Sequence, residues 1–458
     1  MRVPFRSVPS VLALLALLAP ATAQAEKIER ASDVLKKELK AKEAAAKKDP
    51  EALCAAAAWA AEKGLGAESK RIYEAVLKIK PDHPKAHEAL GNVLHEGKWV
   101  AKTELEERRK QALLAEMAAK GLVDVDGIWV DKADVDDAKR GVYRHDGEFV
   151  TKAEKLALTT GKVRHPVTGE LIDQQRLEDA KAGNFPLGGD AWGDEAKADE
   201  HHANPAKEPW VFRSSFVTIV SRMPLAKVRE MATQVDSAWV RVAEVFGTTQ
   251  PRPRHRPVVM IAATQGEYAD LGARLGDESS STSAFLAMSE GRLRLPGITE
   301  ARPAVCDGTG ALGVYSARHA AGLAFAVSTA RDLGTEFPAW FLHGVGSLTS
   351  RLHLPSDAAH YARQDIQNGG VSDCKALCKN FHFRGDDGSK RHILFQSGLM
   401  LDFALKGRDE AAKAALAEFA AACKARNGSA ARQAIGKLEE ALAAALQKLV
   451  AYEQELAR

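Results

Sequence analysis

Three stretches of the chain share one nine-residue pattern. EGKWVAKTE (Glu96 to Glu104), DGIWVDKAD (Asp126 to Asp134) and DGEFVTKAE (Asp146 to Glu154) each read acid, Gly, any residue, aromatic, Val, any residue, Lys, any residue, acid. TGELIDQQRLEDA, from Thr168, is a worn fourth copy. The Gly calls for a tight turn, and the aromatic and Val for a short strand. The closing acid suits the first turn of a helix, where a carboxylate meets the positive end of the dipole. Residues 95–180 are therefore predicted to form small strand-turn-helix modules. Trp99, Trp129 and Phe149 recur at one place in the pattern. Either they line a binding surface for peptide or glycan, or each pins its own hairpin to the next helix, as single aromatics at repeat spacing commonly do.

The flanking sequence differs in character. With 458 residues, 45% hydrophobic and 27% charged, the chain is long enough for two or three domains with proper cores. Its formal charge of +3 is spread over alternating Lys and Glu, which gives no basic field for nucleic acid, so no nucleic-acid partner is expected. At the start, MRVPFRSVPSVLALLALLAPATAQA places Arg2 and Arg6 before an apolar run from Val11 to Leu18, then the small-x-small Ala23-Gln24-Ala25. That is the order of a secretory signal, with an apolar run too short to span a bilayer. Residues 1–25 are expected to be a signal peptide and the mature chain to be exported, periplasmic or secreted, with no transmembrane segment.

Residues 26–94 are helical in composition. Gly64, Gly66, Tyr73, Pro81 and the run from Ala86 to Gly91 resemble a tetratricopeptide repeat, although one repeat and a fragment are too few for a free-standing solenoid. Residues 181–209 shift to Gly, Asp, Ala, Lys and Pro and read as a linker. The run Asp199-Glu200-His201-His202 has ligand-type side chains, but a linker lacks the outer hydrogen bonds that hold metal ligands in place.

From residue 210 the pattern becomes strands followed by helices. PWVFRSSFVTIVSRMP is rich in β-branched and aromatic residues, and an amphipathic helix follows from about Leu225 to Phe246. RPVVMIAATQGEYADL is a strand leading into a helix. SAFLAMSEGRLRLPG alternates on both sides of Ser289-Glu290-Gly291 and predicts a hairpin edge from Ala284 to Leu295. After Ala311 nearly everything is helical. The expectation is an α+β fold: a helical N-terminal repeat region, the small modules, and a C-terminal domain over 210–458 with a mostly antiparallel sheet packed on helices.

In the helical block, ARHAAGLAFAVSTARDLGTEFPAWFLHGVGS (Ala317 to Ser347) puts His319 on one helix and a Pro-x-Trp segment at the start of the next. With the strands before it and HILFQSGLMLDFAL and ARQAIGKLEEALAAAL behind it, this half of the chain resembles a gluzincin-type (peptidase-MA-like) metallopeptidase domain. The resemblance implies zinc on a His-Glu-x-x-His helix. There the histidines lie one turn apart, the glutamate is the base for the zinc-bound water, and a later glutamate is the third ligand. The chain departs from the motif at its chemistry, with His319-Ala320-Ala321-Gly322-Leu323. Ala320 stands at the base position and cannot accept a proton; Leu323 stands at the second ligand position and cannot bind metal. His343 takes the place of the distal glutamate. Two neutral ligands without a base fall short of the three protein ligands of catalytic zinc. No catalytic residue and no cofactor are expected, and His319 and His343 are the two zinc candidates left.

Other motifs are weaker. DGTGALG (Asp307 to Gly313) fits Gly-x-Gly-x-x-Gly but joins no parallel βαβ unit. Among the five cysteines, Cys54, Cys306, Cys374, Cys378 and Cys423, the pair Cys374 and Cys378 has helical i,i+4 spacing. Buried or locally bridged thiols fit better than a metal site, because no second pair completes four ligands. His353, His360, His382 and His392 are isolated in the sequence. Three functions stay open. A non-catalytic pseudopeptidase would bind a protein or peptide of the cell envelope, or act there as a scaffold, using the groove beside its sheet edge. A divergent metal-dependent peptidase or hydrolase would use His319 and His343 with a further ligand. A structural spacer would fill the cleft with Leu323 and Phe325.

Overall fold

A computed structural model describes residues 19–247, 253–275, 284–286, 302–379 and 387–458. The apolar run of the expected signal peptide, the hairpin centred on Ser289, and His382 lie outside them. The chain forms two compact units, the first ending at Leu122 and the second running from Val123 to Arg458.

The first unit contains α1 (Ala19–Ala46), α2 (Pro50–Glu62), α3 (Gly66–Ile79), α4 (Pro84–Ala89), a hairpin of β1 (Asn92–His95) and β2 (Lys98–Ala101), and α5 (Lys102–Ala119). Asp49 caps α2 with Pro50 at its first turn, the position where a missing N–H costs nothing. Ile72 and Val76, one turn apart on α3, close on Leu53, Ala57 and Ala60 of α2 and Leu39 of α1. Ser69 donates to the Ala57 carbonyl at 2.8 Å, joining α3 to α2. In contrast, α5 buries no residue; it carries the i,i+4 pairs Arg108–Glu104 and Lys120–Glu116 on its surface.

The second unit begins with further copies of the hairpin and helix. They are β3 (Leu122–Val125), β4 (Ile128–Asp131) and α6 (Val135–Lys139); β5 (Val142–His145), β6 (Glu148–Thr151) and α7 (Lys152–Thr159); β7 (Lys162–Arg164), β8 (Leu171–Asp173) and α8 (Leu177–Lys181); and β9 (Phe185–Pro186), β10 (Trp192–Gly193) and α9 (Glu195–Ala203). The turns of the three clear copies explain the acid-Gly signature. Glu96-Gly97, Asp126-Gly127 and Asp146-Gly147 all have positive φ at both residues, the condition of a two-residue hairpin that matches strand twist. Thr151 and Glu154 then form a reciprocal capping box on α7.

The last copy corrects the linker expected at 181–209. Phe185 is buried, α9 spans the Asp199-to-His202 run, and Asp199 accepts from Trp210 Nε1 at 3.0 Å and from the Leu225 amide at 2.7 Å. Composition misled there because the strands are two residues long and the turn is glycine-rich.

The C-terminal sheet has the order β11 (Trp210–Arg213), β12 (Thr218–Ser221), β13 (Val258–Ala262), β15 (Ala304–Asp307), β14 (Ala284–Leu286). The fold is α+β as expected, but this sheet is mixed rather than mostly antiparallel. β12·β13 and β13·β15 are parallel, while β11·β12 and β14·β15 are antiparallel. The long helix α10 (Leu225–Phe246) returns the chain to the starting end of the sheet between β12 and β13, which makes that pair parallel. β13 is buried on both faces. Val259 and Ile261 point into the main core with α10 and α12 (Gly313–Asp332), and Val258 and Met260 into a second core under α11 (Gln265–Leu275).

Helices complete the unit: α13 (Ala339–Thr349), α14 (Pro355–Gln367), α15 (Cys374–Lys379), α16 (Asp387–Leu405), α17 (Glu410–Lys424), α18 (Gly428–Ala444) and α19 (Leu446–Leu456). All five cysteines are free thiols, Cys374 and Cys378 included. Among the described residues no helix is long and apolar enough to cross a membrane.

The modules are fastened to the C-terminal layers by charge. Asp137 on α6 is buried between Arg254 and Arg426, and Arg213 of β11 donates to Glu154 at 2.8 Å and Glu148 at 3.0 Å. His255 Nδ1 lies 2.6 Å from Asp332 at the end of α12, and its Nε2 lies 2.8 Å from the Arg140 carbonyl.

Candidate functional site

His319 and His343 meet. α12 and α13 are buried along most of their length, and small residues let them approach closely: a Cβ on Gly322 would stand 2.8 Å from the Gly346 Cα. His319 comes from the second turn of α12 and His343 from the second turn of α13. His319 Nε2 is 3.3 Å from His343 Nδ1, with ring centroids 5.6 Å apart. Ala320 and Leu323 are fully buried members of the main core.

Hydrogen-bond logic fixes the proton positions in this pair. Arg351, just past the end of α13, holds its Nη1 3.1 Å from His319 Nδ1; a guanidinium only donates, so Nδ1 is the acceptor. The His319 proton is then on Nε2, which donates to Nδ1 of His343. Ser350 Oγ, 3.3 Å from His319 Nδ1, spends its own proton on the Gly346 carbonyl at 2.7 Å. The result is a chain of donation from Arg351 through His319 to His343.

The electrostatics agree with neutral rings. Burial first, then the positive charge of Arg351, pushes His319 well below the ordinary histidine value. Burial, Arg351 and Arg302 push His343 down to about 3. Such a site fits zinc badly. The 3.3 Å between the facing nitrogens equals roughly one edge of a tetrahedron with metal bonds of about 2.1 Å. Yet the donor set has no carboxylate to balance a dication. A guanidinium occupies the lone pair of His319 that no second histidine faces, and Ala320 supplies no base. Among the described residues there is no group of three or more His, Cys, Asp or Glu able to hold a metal ion.

The aromatic positions of the modules separate. Trp99 belongs to the first unit, where it stacks on His87 of α4 with centroids 4.5 Å apart, so it pins its hairpin to the preceding helix. Trp129, half-buried on β4, and Phe149, on β6, belong to the second unit. Phe149 has the guanidinium carbons of Arg144 and Arg254 each 4.9 Å from its centroid and lines an open cavity. Sequence reasoning missed Arg351 and Ser350, which bond to His319, and the arginines around this cavity. The signal for the latter was Pro253-Arg254-His255-Arg256-Pro257, a basic run directly before β13.

His353 and His360 stand near the start of α14 without a common centre. His392 on α16 has its Nδ1 against the carboxylate of the buried Asp365, which also neighbours the buried Glu453.

Comparison of the chain with protein-family models, with curated proteins and with solved structures returns no match.

Proposed function

We propose that the chain is an exported, non-catalytic binding or scaffold module of the cell envelope, whose C-terminal half has the plan of a gluzincin-type metallopeptidase without its zinc chemistry. One observation carries the reading. The surviving ligand, His319, has both ring nitrogens engaged, one by Arg351 at 3.1 Å and the other by His343 at 3.3 Å. A catalytic zinc site needs an imidazole lone pair aimed at an open metal position and a base beside it. Here Ala320 and Leu323 are core side chains, and the cleft is closed by helix packing rather than left open to substrate. The sheet keeps β14 as an edge among its described strands, and an edge of this kind accepts an extended peptide as an added strand.

The test is metal content by mass spectrometry on protein purified without chelator, beside the double variant His319→Ala/His343→Ala. The expected result is substoichiometric zinc in both. About one zinc per chain, lost in the double variant, would overturn the proposal and restore the divergent metal-dependent hydrolase.

A further inference from the structure

A cavity of about 620 Å³ opens in the second unit between the β5–β6–α7 module and the C-terminal layers. Its described lining holds six guanidiniums, those of Arg213, Arg254, Arg256, Arg302, Arg331 and Arg432, against the two carboxylates of Glu154 and Glu336. For a chain of formal charge +3, that is a strong local concentration of positive charge in a concave wall, where the field is focused.

Several of these cations are fixed before any ligand arrives. Arg213 is held by Glu154 and Glu148, and Arg254 by Asp137. Arg256 donates to Thr218 Oγ1 at 3.2 Å and to the Val217 carbonyl at 3.0 Å. Arg432, exposed on α18, has no hydrogen-bond or ion-pair partner among the described residues. Between the cations the wall is apolar, with Val142, Phe149, Val150, Phe337 and Leu342. The size lies within the range of small-molecule sites, roughly 300 to 1,000 Å³, and is too small for a folded partner.

We propose that this cavity binds a small organic anion, a molecule with a carboxylate or phosphate on an apolar or planar body. Guanidiniums grip either group through paired N–H donors, and the apolar wall takes the body. The site is independent of the reading given above for the remnant zinc positions, because His319 and His343 do not line it.

Calorimetric titration of the full chain at low salt tests this with three probes: adenosine monophosphate, naphthoate, and uncharged adenosine. The expected result is one site per chain for at least one of the two anions and no binding of adenosine. Preference for the nucleotide would identify a phosphate ligand, and preference for naphthoate a carboxylate. Arg432→Glu, an exposed change that leaves the thermal midpoint in place, is expected to weaken binding by about tenfold or more. Arg108→Glu, an equal change of charge at a residue that does not line the cavity, is expected to leave it unchanged. Absence of binding by both anions at millimolar concentration, binding of adenosine equal to that of the anions, or indifference to Arg432→Glu would each overturn the proposal.

Discussion

Replacing Gly346 by Ala tests the histidine pair through its packing. A Cβ at Gly346 would stand 2.8 Å from His319 Nε2 and 2.9 Å from both Cδ2 and Cε1. Carbon contacts settle near 3.5 to 4.0 Å, so the ring would have to move by nearly an ångström, and with it the bonds to Arg351 and His343. Overpacking of this kind costs about 1–3 kcal/mol. Helix propensity returns about 1 kcal/mol, since Ala replaces Gly inside α13. The net loss for Gly346→Ala is therefore about 0–2 kcal/mol. His319→Ala empties a buried ring volume and takes the acceptor from Arg351, a loss of about 2–4 kcal/mol. In the double variant the new methyl enters the space left by the ring. The clash disappears, the propensity gain remains, and Gly346→Ala should stabilise the His319→Ala background by about 0.5–1 kcal/mol. The coupling energy is then about 0.5–3 kcal/mol. Urea titrations followed by tryptophan fluorescence give the midpoints, with constant slope as the sign that the unfolded state is unchanged. If Gly346→Ala costs the same in both backgrounds, the ring does not sit against Gly346 and the donation chain is wrong.

Stability should also depend on pH, with an optimum on the mildly acidic side, between about pH 4.5 and 6.5. Burial, then Asp365, pushes Glu453 up to about 8, so its contribution is complete below about pH 4.5 and is lost as pH rises through 8. Burial and Glu208 raise Glu170 to about 7, with the same sign. Histidines 319 and 343, lowered by burial and Arg351, act oppositely: their contribution is complete above about pH 6.5 and is lost as pH falls toward 3. Thermal midpoints of Glu453→Gln should fall less between pH 5 and 8 than those of the parent chain; an identical fall would refute the assignment. Asp137→Asn leaves Arg254 and Arg426 converging on a neutral amide, and should cost about 2–4 kcal/mol by denaturant titration. A loss under 0.5 kcal/mol would reduce the clamp to a surface pair.

The modules were legible because their signature is local. An acid-Gly pair that must take positive φ at two residues, followed by alternation and a cap, specifies a hairpin and helix without help from the rest of the chain. The α+β class was legible for a similar reason, from strands preceding helices. The pairing of β12 with β13 was not, since it depends on where α10 carries the chain. Ala320 and Leu323 could be read as core residues, but the approach of His319 to His343 rests on the glycines that let α12 and α13 touch. Arg351 was hidden by a backbone detail. α13 ends at Thr349, and Ser350, at φ −120° and ψ −81°, leaves the helix and carries the next residue back toward His319. A helical reading continued past Thr349 would misplace it.

The fastening of Asp137 bears on the order in which the chain acquires its structure. Arg254 lies 117 residues after it and Arg426 lies 289 residues after it. Each hairpin can form within microseconds of leaving the ribosome, because its contacts are local. The β3–β4–α6 module, however, lacks the second of the two counter-charges of Asp137 until Arg426, two residues past the end of α17, has been made. Contacts this distant in sequence form late, since the loop between them must be closed first. The module thus stays a tethered, reversible element through most of synthesis and locks only when the C-terminal helices arrive.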